Sequence, residues 1–213
     1  MFGPSIALWM AVFPDPLNSP ARYARTLTVI GLLSVADADN DVVPWVRAFH
    51  NVVYLDVTAI GWCSLELFYG LSPAVRSLRL QVPKTRPSAI FGLICSFPLL
   101  EDIALLSLSS DSENDGWTTP PTFPRSIKSL LLSAGIGPVT RRLLDLPNGP
   151  RFTKIAFELL HESDFDVVMV LVSRHSDTLE YLDITEDTLG VFPSPPVPDQ
   201  YLTAIIRASH DLV

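Results

Sequence analysis

Four histidines, His50, His161, His175 and His210, are the side chains of this sequence best suited to move protons or hold a metal. A metal site needs ligands at short, regular spacings, and no pair of these histidines has such a spacing. One segment gathers a base, a hydroxyl and acids: His161-Glu162-Ser163-Asp164-Phe165-Asp166. The same order is explained by a helix start, with Ser163 as N-cap and two acids at the positive helix end. Capping is the preferred reading, and a hydrolase using His161 and Asp164 is the alternative. Asp183, Glu186 and Asp187 suggest a cation site, but no glycine-turned oxygen cage accompanies them, so an acidic surface is the better account. The sequence also lacks a Gly-rich phosphate loop, a G-x-S-x-G elbow and a paired-cysteine motif. No catalytic residue, metal ligand or cofactor is therefore expected. Cys63 and Cys95 stand far apart in the chain, both in helical contexts, and read as reduced, buried thiols of an intracellular protein, cytoplasmic or nuclear. A disulfide between neighbouring units is the alternative.

The elements that must position these groups follow a repeat. The pattern apolar-x-x-apolar-x-apolar occurs at Ala24/Leu27/Val29, Val52/Leu55/Val57, Val75/Leu78/Leu80, Leu100/Ile103/Leu105, Ile127/Leu130/Leu132, Phe152/Ile155/Phe157 and Leu179/Leu182/Ile184. From Ala24 to Leu179 the first positions recur at a nearly constant step, the step of a leucine-rich repeat. A composition of 48% apolar residues makes a single triplet uninformative, so the argument rests on even spacing and on a shared entry signal. Pro73, Pro98, Pro124 and Pro150 each stand two or three residues before an anchor. Proline disfavours helix at the residue before it and hands the chain to an extended segment. The fold predicted is α/β: a leucine-rich-repeat solenoid of about seven repeats, with a curved parallel sheet inside and helices outside.

Helices are predicted over Asp41 to His50, Cys63 to Leu71, Ser88 to Cys95 and Pro138 to Leu146, and from Ser163 to Arg174 and His175. Residues 1–20 are expected to form an N-terminal cap, 24–184 the seven repeats, and 185–213 the start of an eighth, all in one domain. Arg207-Ala208-Ser209-His210-Asp211-Leu212 repeats the cadence of Arg174-His175-Ser176-Asp177-Thr178-Leu179. That cadence places Leu212 at an eighth anchor and suggests a truncated product or a fragment of a longer array. Ser109 to Thr122 is polar, acidic and proline-rich, the composition of a loop. Pro193 to Pro198 favours polyproline II and reads as a rigid loop before it reads as an SH3-type ligand. No apolar run reaches the length of a membrane span, the longest being Ile6 to Phe13 and Val167 to Val172. A net charge of −8 argues against a nucleic-acid partner, and the basic residues gather only loosely at Arg141, Arg142, Arg151 and Lys154.

Three segments carry a resemblance: Asn18 to Val29 (NSPARYARTLTV), Pro73 to Leu80 (PAVRSLRL) and Cys95 to Leu105 (CSFPLLEDIAL). On these the chain resembles the leucine-rich-repeat half of F-box-like proteins of basidiomycete, mushroom-forming fungi. The resemblance implies a ubiquitin-ligase adaptor in which an F-box docks onto the ligase scaffold while the repeats hold the protein to be modified. The stretch before Asn18 is shorter than an F-box, so scaffold docking is carried over to no residue here. The asparagine of the repeat consensus is replaced by Ile60, Pro83 and Leu108 in the three clearest units. Residues alternating with the anchors point to the opposite face of each strand, the concave wall of the arc. From that wall Tyr54, Asp56, Arg79, Asp102, Lys154, Tyr181 and Asp183 are the expected contacts with a protein partner. Tyr54, Arg79 and Tyr181 come first, because tyrosine and arginine are enriched at binding hot spots. The expected function is non-enzymatic protein recognition, and the alternative is a structural or defunct scaffold with no ligase link.

Overall fold

The computed structural model describes residues 10–31, 42–59, 65–83, 85–106, 122–133, 135, 137–146, 149–159 and 164–185. Strands form where two apolar anchors stand at alternate positions, with a polar or small residue between them except at Leu131: β1 Thr26–Ile30, β2 Tyr54–Thr58, β3 Ser77–Gln81, β4 Asp102–Leu106, β5 Ser129–Ser133, β6 Lys154–Glu158 and β7 Tyr181–Thr185. They make one seven-stranded sheet in the order of the sequence. Every neighbouring pair is parallel, and the anchors meet rung by rung: Leu27, Leu55, Leu78, Ile103, Leu130, Ile155 and Leu182 form one row. The spacing of the apolar triplets thus predicts strand existence, direction and register.

One hydrogen-bond device closes each junction. The carbonyl of the residue just before a strand accepts two successive N–H groups from the next strand's entry. Arg25 O accepts from Val53 and Tyr54, Val53 O from Arg76 and Ser77, and Arg76 O from Glu101 and Asp102. The same fork recurs at Glu101 O, Lys128 O and Thr153 O, at 2.8–3.1 Å. Side-chain hydroxyls reinforce the joints: Ser126 Oγ donates to Leu100 O at 2.7 Å and Thr178 Oγ1 to Phe152 O at 2.9 Å. Arg76 and Glu101 add an exposed ion pair across one of them.

Helical segments cover the anchor face: α1 Val42–Arg47, a 3-10 turn Leu65–Phe68, α2 Pro87–Cys95, α3 Gly137–Asp145 and α4 Phe165–Arg174. They pack against one another in this order and share one apolar core with the anchors. Where a helix is expected from Cys63 to Leu71, the described part is a 3-10 turn instead. The step from Leu55 to Leu78 is the shortest between neighbouring anchors, and the tighter 3-10 winding spans more length per residue. Gly70, at φ +72°, then turns the chain out of the helix. Pro87 opens α2 at its first position, where its missing N–H costs nothing. The N-cap of α4 is Asp164, not Ser163, and its side chain makes no capping bond.

The layers share one core running from Val29 to Leu179, in which Leu55, Val57, Leu80, Leu105, Leu132, Ile155 and Phe157 are fully buried. Burial of each such side chain is worth about 1.5–3 kcal/mol. The terminal anchors Leu27, Leu182 and Ile184 are only half-buried. On the opposite face, residues such as Thr26, Thr28, Arg79 and Lys154 are exposed and Tyr54, Asp56 and Thr58 half-buried. Among the described residues, helices therefore cover one side of the sheet. Its far edge departs from this pattern at Leu106 and Ser133, which are buried although they alternate with the anchors. The expected loop Ser109 to Thr122 up to residue 121, the proline-rich run and the eighth unit after Thr185 lie outside the described residues. Among the described residues no helix is long and apolar enough to cross a membrane.

Candidate functional site

Each strand contributes its first, third and fifth residues to the face away from the helices, and the shared register aligns them into rows. The first row runs Thr26, Tyr54, Ser77, Asp102, Ser129, Lys154 and Tyr181. The second runs Thr28, Asp56, Arg79, Ala104, Leu131, Ala156 and Asp183. All seven expected contact residues stand in these two rows.

The register sorts them into two groups. Asp56 and Arg79 are direct cross-strand partners, with Tyr54 two residues from Asp56 on the same strand face. Lys154 is paired with Tyr181, and Tyr181 Oη donates to Asp183 Oδ2 at 3.3 Å. Strands stand about 4.8 Å apart, so the three steps from β3 to β6 separate the groups by roughly 14 Å. Asp102 lies between them, beside Ser77 and Ser129. Arg79 and Asp56 make no ion pair despite their register, and Asp56 Oδ1 is buried without a hydrogen-bond partner. Tyr181 keeps 53% of its surface exposed, so its ring is available to a partner.

Ala104, Leu131 and Ala156, half-buried and adjacent in the second row, form an apolar strip between the groups. A reading that selects contacts by polar or aromatic type passes over such residues. The signal for them was already in the alternation, which puts Leu131 between anchors Leu130 and Leu132.

The groups with chemical potential are held elsewhere. His175 is buried beneath the end of α4, with Nδ1 2.7 Å from Leu171 O and Nε2 3.0 Å from Pro150 O. Its ring packs on Phe152 at 5.0 Å between centroids. Each ring nitrogen thus faces a backbone carbonyl, and the tautomer decides which of the two accepts. Asp164 is buried against the start of α3, where a Cβ on Gly137 would fall 2.8 Å from its Oδ1. His161 and Ser163, its supposed companions, lie outside the described residues, as do His210, Cys63, Glu186 and Asp187. Cys95 is a free thiol, pushed up to about 11 by burial. Tyr69 is raised to about 12, by burial first and then by the Glu66 charge and Cys95. Its hydroxyl donates to Ala89 O at 3.2 Å and fills the space a Cβ on Gly92 would need. Among the described residues no three His, Cys, Asp or Glu side chains are grouped to hold a metal. No family model, curated protein or solved structure matches this chain.

Proposed function

We propose that the chain is a leucine-rich-repeat solenoid whose uncovered sheet face is a concave docking surface for another protein, and that it acts by recognition without catalysis. The observation that carries this reading is an all-parallel sheet, in strict sequence order, with the helices among the described residues on one face. Parallel sheets of α/β enzymes have helices on both faces and bind ligands at strand ends where the order reverses. This sheet has no reversal among its strands. A preformed face spends little entropy on ordering when a partner lands. Tyr54, Asp56 and Arg79 form one contact group, and Lys154, Tyr181 and Asp183 a second, with Asp102 between them. The net charge of −8 favours a protein over a nucleic acid or an anionic membrane. The resemblance to F-box-like proteins extends the proposal to the substrate-binding part of an intracellular ubiquitin-ligase adaptor, whose scaffold would be reached through an F-box outside this chain.

The test is affinity capture with the full chain, comparing wild type, the double variant Tyr54→Ala with Arg79→Ala, and the helix-side variant Val170→Ser. Hot-spot truncation should lower capture of a genuine partner at least tenfold, roughly. The helix-side variant should capture like wild type. A double variant that still holds every protein the wild type holds would defeat the sheet-face reading.

A further inference from the structure

One of the basic residues noted in the sequence, Arg151, stands away from the sheet face, at a cleft. A cleft of about 300 Å³ opens between the segment leading into β6 and the end of α4, lined by Arg151, Arg174, His175, Asp177 and Thr178 among others. Its hydrogen-bonding inventory is lopsided. Leu144 O, near the end of α3, accepts from Arg174 Nη1. Leu171 O and Pro150 O each face a ring nitrogen of His175, a ring that in its neutral form donates to one of them, and Phe152 O accepts from Thr178 Oγ1. At the two helix ends that would repel an anion, Leu144 O is thus covered by Arg174 and Leu171 O faces the His175 ring.

The donors are in surplus. A guanidinium carries five N–H groups. Arg174 is tethered through Nη1, and the Arg151 side chain makes no hydrogen bond or ion pair with any other described residue. The cleft also holds the exposed carboxylate of Asp177, which forms an ion pair with neither arginine. In a chain of net charge −8 this cleft brings two arginines into one lining.

We propose that this cleft is a second binding site, which takes the anionic side chain, carboxylate or phosphate, of a peptide. Arg151 supplies the mobile donor, and Arg174, fixed by its bond to Leu144 O, supplies the oriented one. Asp177 tempers the affinity by repulsion. The site does not depend on the sheet-face reading, since it lies among the helix ends and strand entries.

The test is an NMR titration of the full, nitrogen-15-labelled chain at physiological salt with three capped tripeptides: acetyl-Gly-Glu-Gly-amide, its phosphoserine counterpart and its glutamine counterpart. An anionic peptide should shift the amides of Gly149, Arg151 and Thr178, and the glutamine peptide should leave them in place. Arg151→Gln should weaken binding at least fivefold, roughly, because a charge-assisted bond is lost. Asp177→Asn should strengthen it about twofold by removing a like charge. Tighter binding of the phosphoserine peptide would assign a phosphorylated partner, and equal or tighter binding of the glutamate peptide an acidic stretch. Arg151 carries no structural bond, so a folded spectrum is expected for its variant. The proposal fails if neither anionic peptide moves these amides, if the glutamine peptide moves them equally, if Arg151→Gln binds as well as wild type, or if an oligonucleotide binds there and the peptides do not.

Discussion

The thiol of Cys95 sits half-buried at the end of α2, and burial pushes it up from 9.0 to about 11. The fold therefore favours the neutral thiol. In the unfolded chain the proton leaves near 9.0, so stability is intact below that pH and declines as pH rises from 9.0 towards about 11. At pH 8 the native thiolate should be about a hundredfold scarcer than in the unfolded chain, and alkylation should slow accordingly, since the thiolate is the reactive form. Alkylation by iodoacetamide, followed by mass spectrometry of the Cys95 peptide with and without urea, measures this directly. Equal rates in the two conditions would contradict the burial. Residue type and a helical context were enough to mark Cys95 as a packed thiol. They were not enough for His175, which its sequence position assigns only to a helix end. Its engagement by Pro150 O depends on a residue 25 positions away, which no local pattern encodes.

At the scale of elements, Ile103 is the clearest lever. It is 2% exposed in the middle strand and lies between Leu78 and Leu130 in the anchor row. Ile103→Lys should cost at least about 3 kcal/mol, from lost packing and from a charge forced into apolar surroundings. Urea denaturation measures that loss. A change below about 1 kcal/mol would mean that the row is not a shared core. The strands were legible because two independent signals, alternation and a constant step, agree at each anchor. The turn Leu65–Phe68 was not, because its apolar residues suit a 3-10 or an α winding equally well. What decides between them is the shortness of the step from Leu55 to Leu78, a property of the junction with its neighbours.

For the molecule as a whole, the sheet has a protected middle and two less covered ends. Leu78, Ile103 and Leu130 are 1–2% exposed, whereas Leu27, Leu182 and Ile184 at the ends are half-buried. Amide hydrogen exchange should therefore be slowest in β3, β4 and β5 and fastest in β1 and β7, in the manner of local opening from the ends. Uniform protection across the seven strands would indicate a single cooperative block. The order and direction of the strands could be read from sequence because each strand neighbours the next one in the chain, leaving few topologies to weigh. The covering of Leu106 and Ser133, and the meeting of Arg151 with Arg174 at one cleft, depend on groups assembled from distant segments. The forked carbonyls at Arg25, Val53, Arg76, Glu101, Lys128 and Thr153 have a wider implication. The fork itself uses main-chain atoms alone at all six joints, so it forms whatever side chain stands there, with Ser126, Thr178 and the Arg76–Glu101 pair as local additions. Like couplings of a common gauge, they let links of unequal length, the long one from Leu27 to Leu55 and the short one from Leu55 to Leu78 alike, be exchanged, duplicated or removed while the remaining ones keep their alignment.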